Sequence, residues 1–344
     1  MADETSAGSR RVEDAFAHRE GDRTPLWGII QNRPVYEHVL GAEGVGDPAE
    51  VALDDKIRLH ARVYRELEID MTRAHIWPPA RRQAADAVTE WARRTASARD
   101  IHDYQPELPD DDARDEHVAV NCRILAADAP HTVFAPTVRG VFCPTFERMG
   151  LEEFSYAWRD SPGEVERVMG AHAEYARSMA QRYADRPEVR FVAVCDDMAF
   201  KSGPIFPPPW MREVWLPMLA HVVEPLVRHG VRIIFHSDGN IEQFIPDLIG
   251  IGVAAINPLE PLAGMDLAAL KREYGAALTL IGAVDCAQLL TFGTPAAIRD
   301  EVRRLLDVGA PGGGFVIGDS SCIMPNTPLE NVLAFYETVR QSGP

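Results

Sequence analysis

The chain has 344 residues, 46% hydrophobic and 25% charged, with a formal net charge of −17. That is enough apolar material for one large domain or two ordinary ones. The acidic balance excludes broad contact with a phosphate backbone. No run approaches the roughly 18 apolar residues of a membrane helix. The polar start, MADETSAGSRRVEDAF, has no secretory core, so a cytoplasmic location is expected. Five scattered cysteines, an odd number without a CxxC pair, point to free thiols in a reducing compartment.

Eight short apolar runs recur along the chain and read as strands. They are Thr24 to Ile30, Leu67 to Ala74, Thr132 to Pro136, Arg190 to Cys195, Val231 to Phe235, Val253 to Ile256, Leu278 to Ala283 and Gly314 to Ile317. Continuous apolar runs suit strands covered on both faces, as in parallel sheets. Helical stretches separate them: about Pro48 to Glu66, Ser161 to Ala184, Met211 to His229, Ile241 to Gly250, Leu267 to Tyr274, Pro295 to Val308 and Leu329 to Gln341. The alternation predicts an α/β fold, a (β/α)8 barrel of the TIM type over residues 11–341 after a flexible tail over 1–10. The competing doubly wound sheet lacks a GxGxxG after its first strand. Residues 77–130 read as an insertion with a hairpin near Ala85 to Arg94. The acidic cluster Asp110-Asp111-Asp112, Asp115 and Glu116 reads as a solvated loop. Gly312-Gly313-Gly314, lying before a strand, reads as a tight turn.

In a barrel the polar residues that follow each strand converge at one mouth. These are Gln31 and Asn32, Arg73 and His75, Thr137 and Arg139, Asp196 and Asp197, His236 to Asp238, Asn257 and Glu260, Asp285, and Asp319 with Cys322. In extended chain His236 and Asp238 point to the same side and could face one ion, which a thiolate such as Cys322 could complete as a zinc site. From spacing alone the plainer reading is that His236 is a neutral, hydrogen-bonded mouth residue and Cys322 a small buried filler. Asp196 or Asp197 reads as a general acid or base or a substrate anchor, and equally as a helix N-cap or a partner for Lys201. Arg73 and Arg139 are candidate carboxylate clamps.

The motifs resemble the uroporphyrinogen decarboxylase superfamily along nearly the whole chain. The likeness rests on Arg11 to Pro25 (RVEDAFAHREGDRTP), Asp196-Asp197-Met198-Ala199, His236-Ser237-Asp238-Gly239-Asn240, Asn257-Pro258-Leu259-Glu260-Pro261, Gly282-Ala283-Val284-Asp285 and the block Pro311 to Asn331. It implies the same barrel. Porphyrinogen decarboxylases carry an arginine-rich RQAGRY-like motif near the first strand, where this chain reads Trp27-Gly28-Ile29-Ile30-Gln31-Asn32-Arg33-Pro34. The resemblance therefore points to the other branch, corrinoid-dependent methyltransferases that bind zinc through a His-x-Cys pair and a later Cys. His236 and Cys322 stand at matching places, and Asp238 replaces the first Cys.

On that likeness the metal ligands are His236, Asp238 and Cys322, and the catalytic residues Asp196, Asp197 and Arg139. Gln31, Arg73, His75, Asn257, Glu260 and Asp285 line the substrate site. The cofactors implied are zinc and a corrinoid supplied by a partner protein. The expected partners are a small-molecule substrate, that corrinoid protein and a second copy of the chain as a homodimer. The alternatives kept beside this reading are a metal-free decarboxylase of a small acid and a non-catalytic ligand-binding barrel.

Overall fold

A computed structural model describes residues 6–41, 51–73, 101–102 and 111–343. Its strands are β1 (Met71–Thr72), β2 (Val133–Phe134), β3 (Thr137–Arg139), β4 (Phe191–Cys195), β5 (Ala199–Phe200), β6 (Gly203–Pro204), β7 (Arg232–His236), β8 (Val253–Leu259), β9 (Thr279–Val284) and β10 (Phe315–Asp319). The described residues fall into two compact units. One draws on residues 1–80, 118–135 and 254–344, the other on 81–117 and 136–253.

In the first unit β8, β9 and β10 run parallel. Parallel bridges Leu26 to Ile317 and Trp27 to Met71 continue the row, and β1 pairs in parallel with β2. Every residue of β9 and β10 is buried, as expected of strands covered on both faces. The first expected strand, Thr24 to Ile30, contributes isolated bridges rather than a ladder. β8 runs on through Asn257 to Leu259, three residues past the expected end, with an irregularity between Ile256 and Leu259. Helix Pro295–Gly309 packs on helix Leu329–Arg340.

A buried ion network ties the amino-terminal segment to β1. The carboxylate of Asp70, fully buried, accepts from Arg23 (2.7 Å), Arg11 (3.1 Å) and the Leu26 N–H (2.9 Å). The helix Ala7–Phe16, capped by Ser6, begins inside the stretch expected as a flexible tail. The three glycines 312–314 all have positive φ, as the tight turn requires.

In the second unit β3, β4 and β7 are parallel, and their registers align Arg139 with Cys195 and Cys195 with His236. Three carboxyl-terminal strand ends thus lie side by side. Helices Pro162–Ala184 and Leu216–Arg228 pack on each other. β5 and β6 form a small antiparallel pair directly after β4.

The acidic stretch expected as a loop is largely helical. Helix Asp111–Asp128 holds Asp111, Asp112, Asp115 and Glu116, and its Asp112 and Asp115 meet Arg182 (3.1 Å) and Arg186 (2.8 Å). The expected hairpin at 85–94 lies outside the described residues. Among the described residues no helix is long and apolar enough to cross a membrane.

Candidate functional site

Aspartates 196 and 197 follow β4, and successive residues at a strand end face opposite ways. Asp196 turns inward and is fully buried. Its carboxylate accepts the N–H groups of Val141 (2.9 Å), Phe142 (3.0 Å) and Cys143 (2.6 Å) and the indole N–H of Trp215 (2.8 Å). Burial pushes this carboxyl up, and the four N–H donors pull the other way. Residue 140 must be glycine, because a β-carbon there would stand 2.2 Å from the Asp196 carboxyl carbon. Asp196, read from sequence as a candidate acid or base, is therefore the residue that fixes the turn after β3. No oxygen of it is left to face a substrate.

Asp197 faces the other way and is partly exposed. Its Oδ1 accepts the Asp238 N–H at 3.0 Å and stands 4.0 Å from His236 Nε2. The same Nε2 lies 3.9 Å from Asp238 Oδ1. One ligand-type atom from each of Asp197, His236 and Asp238 lies within 4.8 Å of the other two. The separations suit an ion: zinc bonds of about 2.0–2.2 Å to nitrogen and oxygen set tetrahedral neighbours about 3.4 Å apart. The two distances from His236 Nε2 would each have to shorten by about half an ångström to reach that spacing.

The loop carrying Asp238 is pinned on both sides. Ser237 Oγ accepts from Met198 N–H and donates to the Asp238 carbonyl, each at 3.0 Å. Gly239, at φ 85°, lies so close to β5 that a β-carbon would meet the Ala199 carbonyl oxygen at 2.5 Å.

Three further side chains adjoin the triad. Arg139 ends β3 and is in close contact with Glu147, and its Nη2 lies 3.2 Å from Cys143 Sγ. Cys143 Sγ donates to Glu147 Oε1 at 3.0 Å and stands 3.9 Å from Asp197 Oδ2. Burial lowers the Arg139 guanidinium, but Cys143, Glu147, Cys195 and Asp196 together hold it above its ordinary value. Burial pushes the Cys143 thiol well up, with Arg139 opposing. Arg139, read as a carboxylate clamp, is thus already bound to Glu147. Cys143 and Glu147 were not read as site residues. Their signal was the spacing Arg139-x3-Cys143-x3-Glu147, which places the last two one turn apart on helix Cys143–Met149.

The family now follows from sequence. The uroporphyrinogen decarboxylase (URO-D) family profile matches residues 90–342, well over half of the chain. The chain belongs to the uroporphyrinogen decarboxylase family. A curated relative, uroporphyrinogen decarboxylase of Chromohalobacter salexigens, is 29% identical over 151 residues, 41% of this chain. The chain spans 40% of that relative's length. A solved methyltransferase from Methanosarcina mazei shares the fold, with a TM-score of 0.69 at 18% identity over 98% of this chain and 99% of that one.

In this URO-D family chain the remaining expected site residues lie in the first unit. Cys322 Sγ is 3.5 Å from Met324 Sδ, and the triad does not include it. Asp285 accepts the N–H groups of Ala287 (2.9 Å), Gln288 (3.2 Å) and Leu289 (3.3 Å) at the start of a short helix, so it acts as a cap. Asn257 is buried within β8, and Glu260 and Gln31 are half-buried at strand ends. Burial pushes Asp319, at the end of β10, up to about 7, against the pull of nearby backbone N–H groups and Arg73. His75 lies outside the described residues. A cavity of about 430 Å³ opens at the opposite, amino-terminal strand ends, beside Arg11, Arg23 and Phe315. Its Arg11 and Arg23 are committed to Asp22 and Asp70, so it reads as a packing crevice.

Proposed function

We propose that this URO-D family chain is a (β/α)8-barrel, zinc-dependent methyltransferase. It moves a methyl group between a corrinoid carried by a partner protein and a small-molecule substrate. The observation that carries the reading is the Asp197, His236, Asp238 triad at the carboxyl ends of β4 and β7, the end at which barrel enzymes place their chemistry. The fold shared with a methyltransferase supports it.

One imidazole and two carboxylates are donors that zinc accepts, and two aspartates match its charge. Bound there, zinc supplies Lewis acidity, drawing charge from a substrate oxygen or sulfur. The protein's own part is orientation. The Asp238 N–H holds Asp197 by Oδ1, Ser237 clamps the loop, and Asp196 fixes the turn bearing Cys143. Asp197 is proposed as a ligand of that ion. Arg139 supplies positive charge beside it.

The test is elemental analysis of the full chain purified without chelator, with His236→Ala, Asp238→Ala and Cys322→Ala variants. About one zinc per chain, lost in His236→Ala and Asp238→Ala, is expected. No zinc after zinc loading would overturn the reading. The second reading, a metal-free decarboxylase of a small acid, draws on the curated relative's name. It predicts decarboxylation that survives chelation.

A further inference from the structure

The donors of the triad are one nitrogen and two oxygens, yet a sulfur stands against it. Cys143 Sγ lies 3.9 Å from Asp197 Oδ2. Tetrahedral zinc with a sulfur bond of about 2.3 Å and an oxygen bond of about 2.1 Å sets those two atoms about 3.6 Å apart. Sγ is not among the atoms that lie within 4.8 Å of one another in the triad; with the Cys143 backbone fixed, its N–H held by Asp196 at 2.6 Å, it would reach the metal by rotation about one bond.

The surroundings of the thiol match what a metal thiolate requires. Two aspartates already cancel a divalent charge, so a thiolate adds a negative charge that needs a counter-ion. Arg139 Nη2, 3.2 Å from Sγ, provides it. Ligation breaks the S–H bond, and the proton needs an acceptor. Glu147 Oε1 is 3.0 Å away and already takes the thiol's hydrogen bond.

We infer that Cys143 supplies a sulfur donor to the metal held by Asp197, His236 and Asp238, with Arg139 as its counter-ion and Glu147 as the acceptor of its proton. This rests on the metal reading above and adds a ligand that comes from outside the His-x-Asp strand end. The ligand set becomes one nitrogen, two oxygens and one sulfur, with Asp197 shared between the two sides.

The test is the absorption spectrum of the full chain loaded with cobalt(II). A near-ultraviolet thiolate-to-cobalt band is expected in the wild type and in Cys322→Ser, and its loss in Cys143→Ser, which still binds one cobalt through the triad. Cobalt bound without the band in the wild type, or a band that survives in Cys143→Ser, would overturn the inference and leave the metal reading standing. No cobalt bound at all would sink both. Should Cys143→Ser fail to fold, Cys143→Ala is measured in its place. Iodoacetamide labelling of Cys143, mapped by peptide mass, is expected to fall when zinc is added; unchanged labelling counts against the sulfur donor.

Discussion

Gly140 and Asp196 fit together only because residue 140 has no β-carbon. An added one would stand 2.2 Å from the carboxyl carbon of Asp196 and 2.5 Å from Oδ2. That carboxylate cannot withdraw, since four N–H donors hold it. Gly140→Ala is therefore expected to cost roughly 1–3 kcal/mol, the range for overpacking a close-packed interior. Thermal unfolding of the variant checks it, and an unchanged midpoint would show that the turn after β3 yields freely.

The two adjacent aspartates should separate by what they damage. Asp196→Asn leaves buried N–H donors facing an amide, and hydrogen bonds to a charged group contribute about 1.5–3 kcal/mol each. It should lower stability by several kcal/mol and perturb the site only through the turn. Asp197→Asn removes a partly exposed carboxylate with one backbone bond. It should leave the unfolding midpoint nearly unchanged while weakening metal retention at least tenfold. Paired denaturation and metal titration decide it; equal loss of stability in both would refute the division of roles.

Much of the scaffold was legible because its strands are covered on both faces. The runs FVAVC, TLIGAV and FVIGD contain no alternation, and each is buried throughout. The site was legible in part. His236 and Asp238 share a side by strand geometry, but only the fold shows that Asp197 rather than Asp196 joins them. The partners of Asp196 are set by a turn and a tryptophan 19 residues away. The acidic stretch was misread for a similar reason. Asp112 and Asp115 are satisfied by arginines about 70 residues on, and local charge alone cannot show such partners. Cys143 looked like one thiol among five until helix Cys143–Met149 turned it toward Asp197.

The Asp70 network gives a third expectation. Asp70 is fully buried and pairs with Arg23 and Arg11, and burial pushes its carboxyl up against those charges. Removing one partner of a buried ion pair typically costs about 3–5 kcal/mol, because the other charge is left uncompensated. Asp70→Asn should lower stability by that order, measured by urea denaturation. Little change would indicate that Arg23 finds water or Glu68, which stands 3.6 Å from it.

The buried carboxyl of Asp319 is expected to make stability fall with rising pH. Its carboxyl, fully buried at the end of β10, is pushed up from 3.8 to about 7 by burial. An acid raised in the folded state binds its proton more tightly when folded than when unfolded. Its favourable contribution is fully present below about pH 4 and is lost as pH rises through 7. The loss at pH 8 is of the order of 4 kcal/mol at most. Asp319→Asn cannot ionise, so its stability relative to the wild type should improve between pH 5 and pH 8. Urea midpoints of both proteins at the two pH values check this. Parallel lines would mean that Asp319 stays ionised throughout, which the charge of Arg73 could bring about if it approached more closely. A widening gap would establish a carboxylic acid held neutral at the carboxyl end of β10, able to donate a hydrogen bond below pH 7 and to accept one above it.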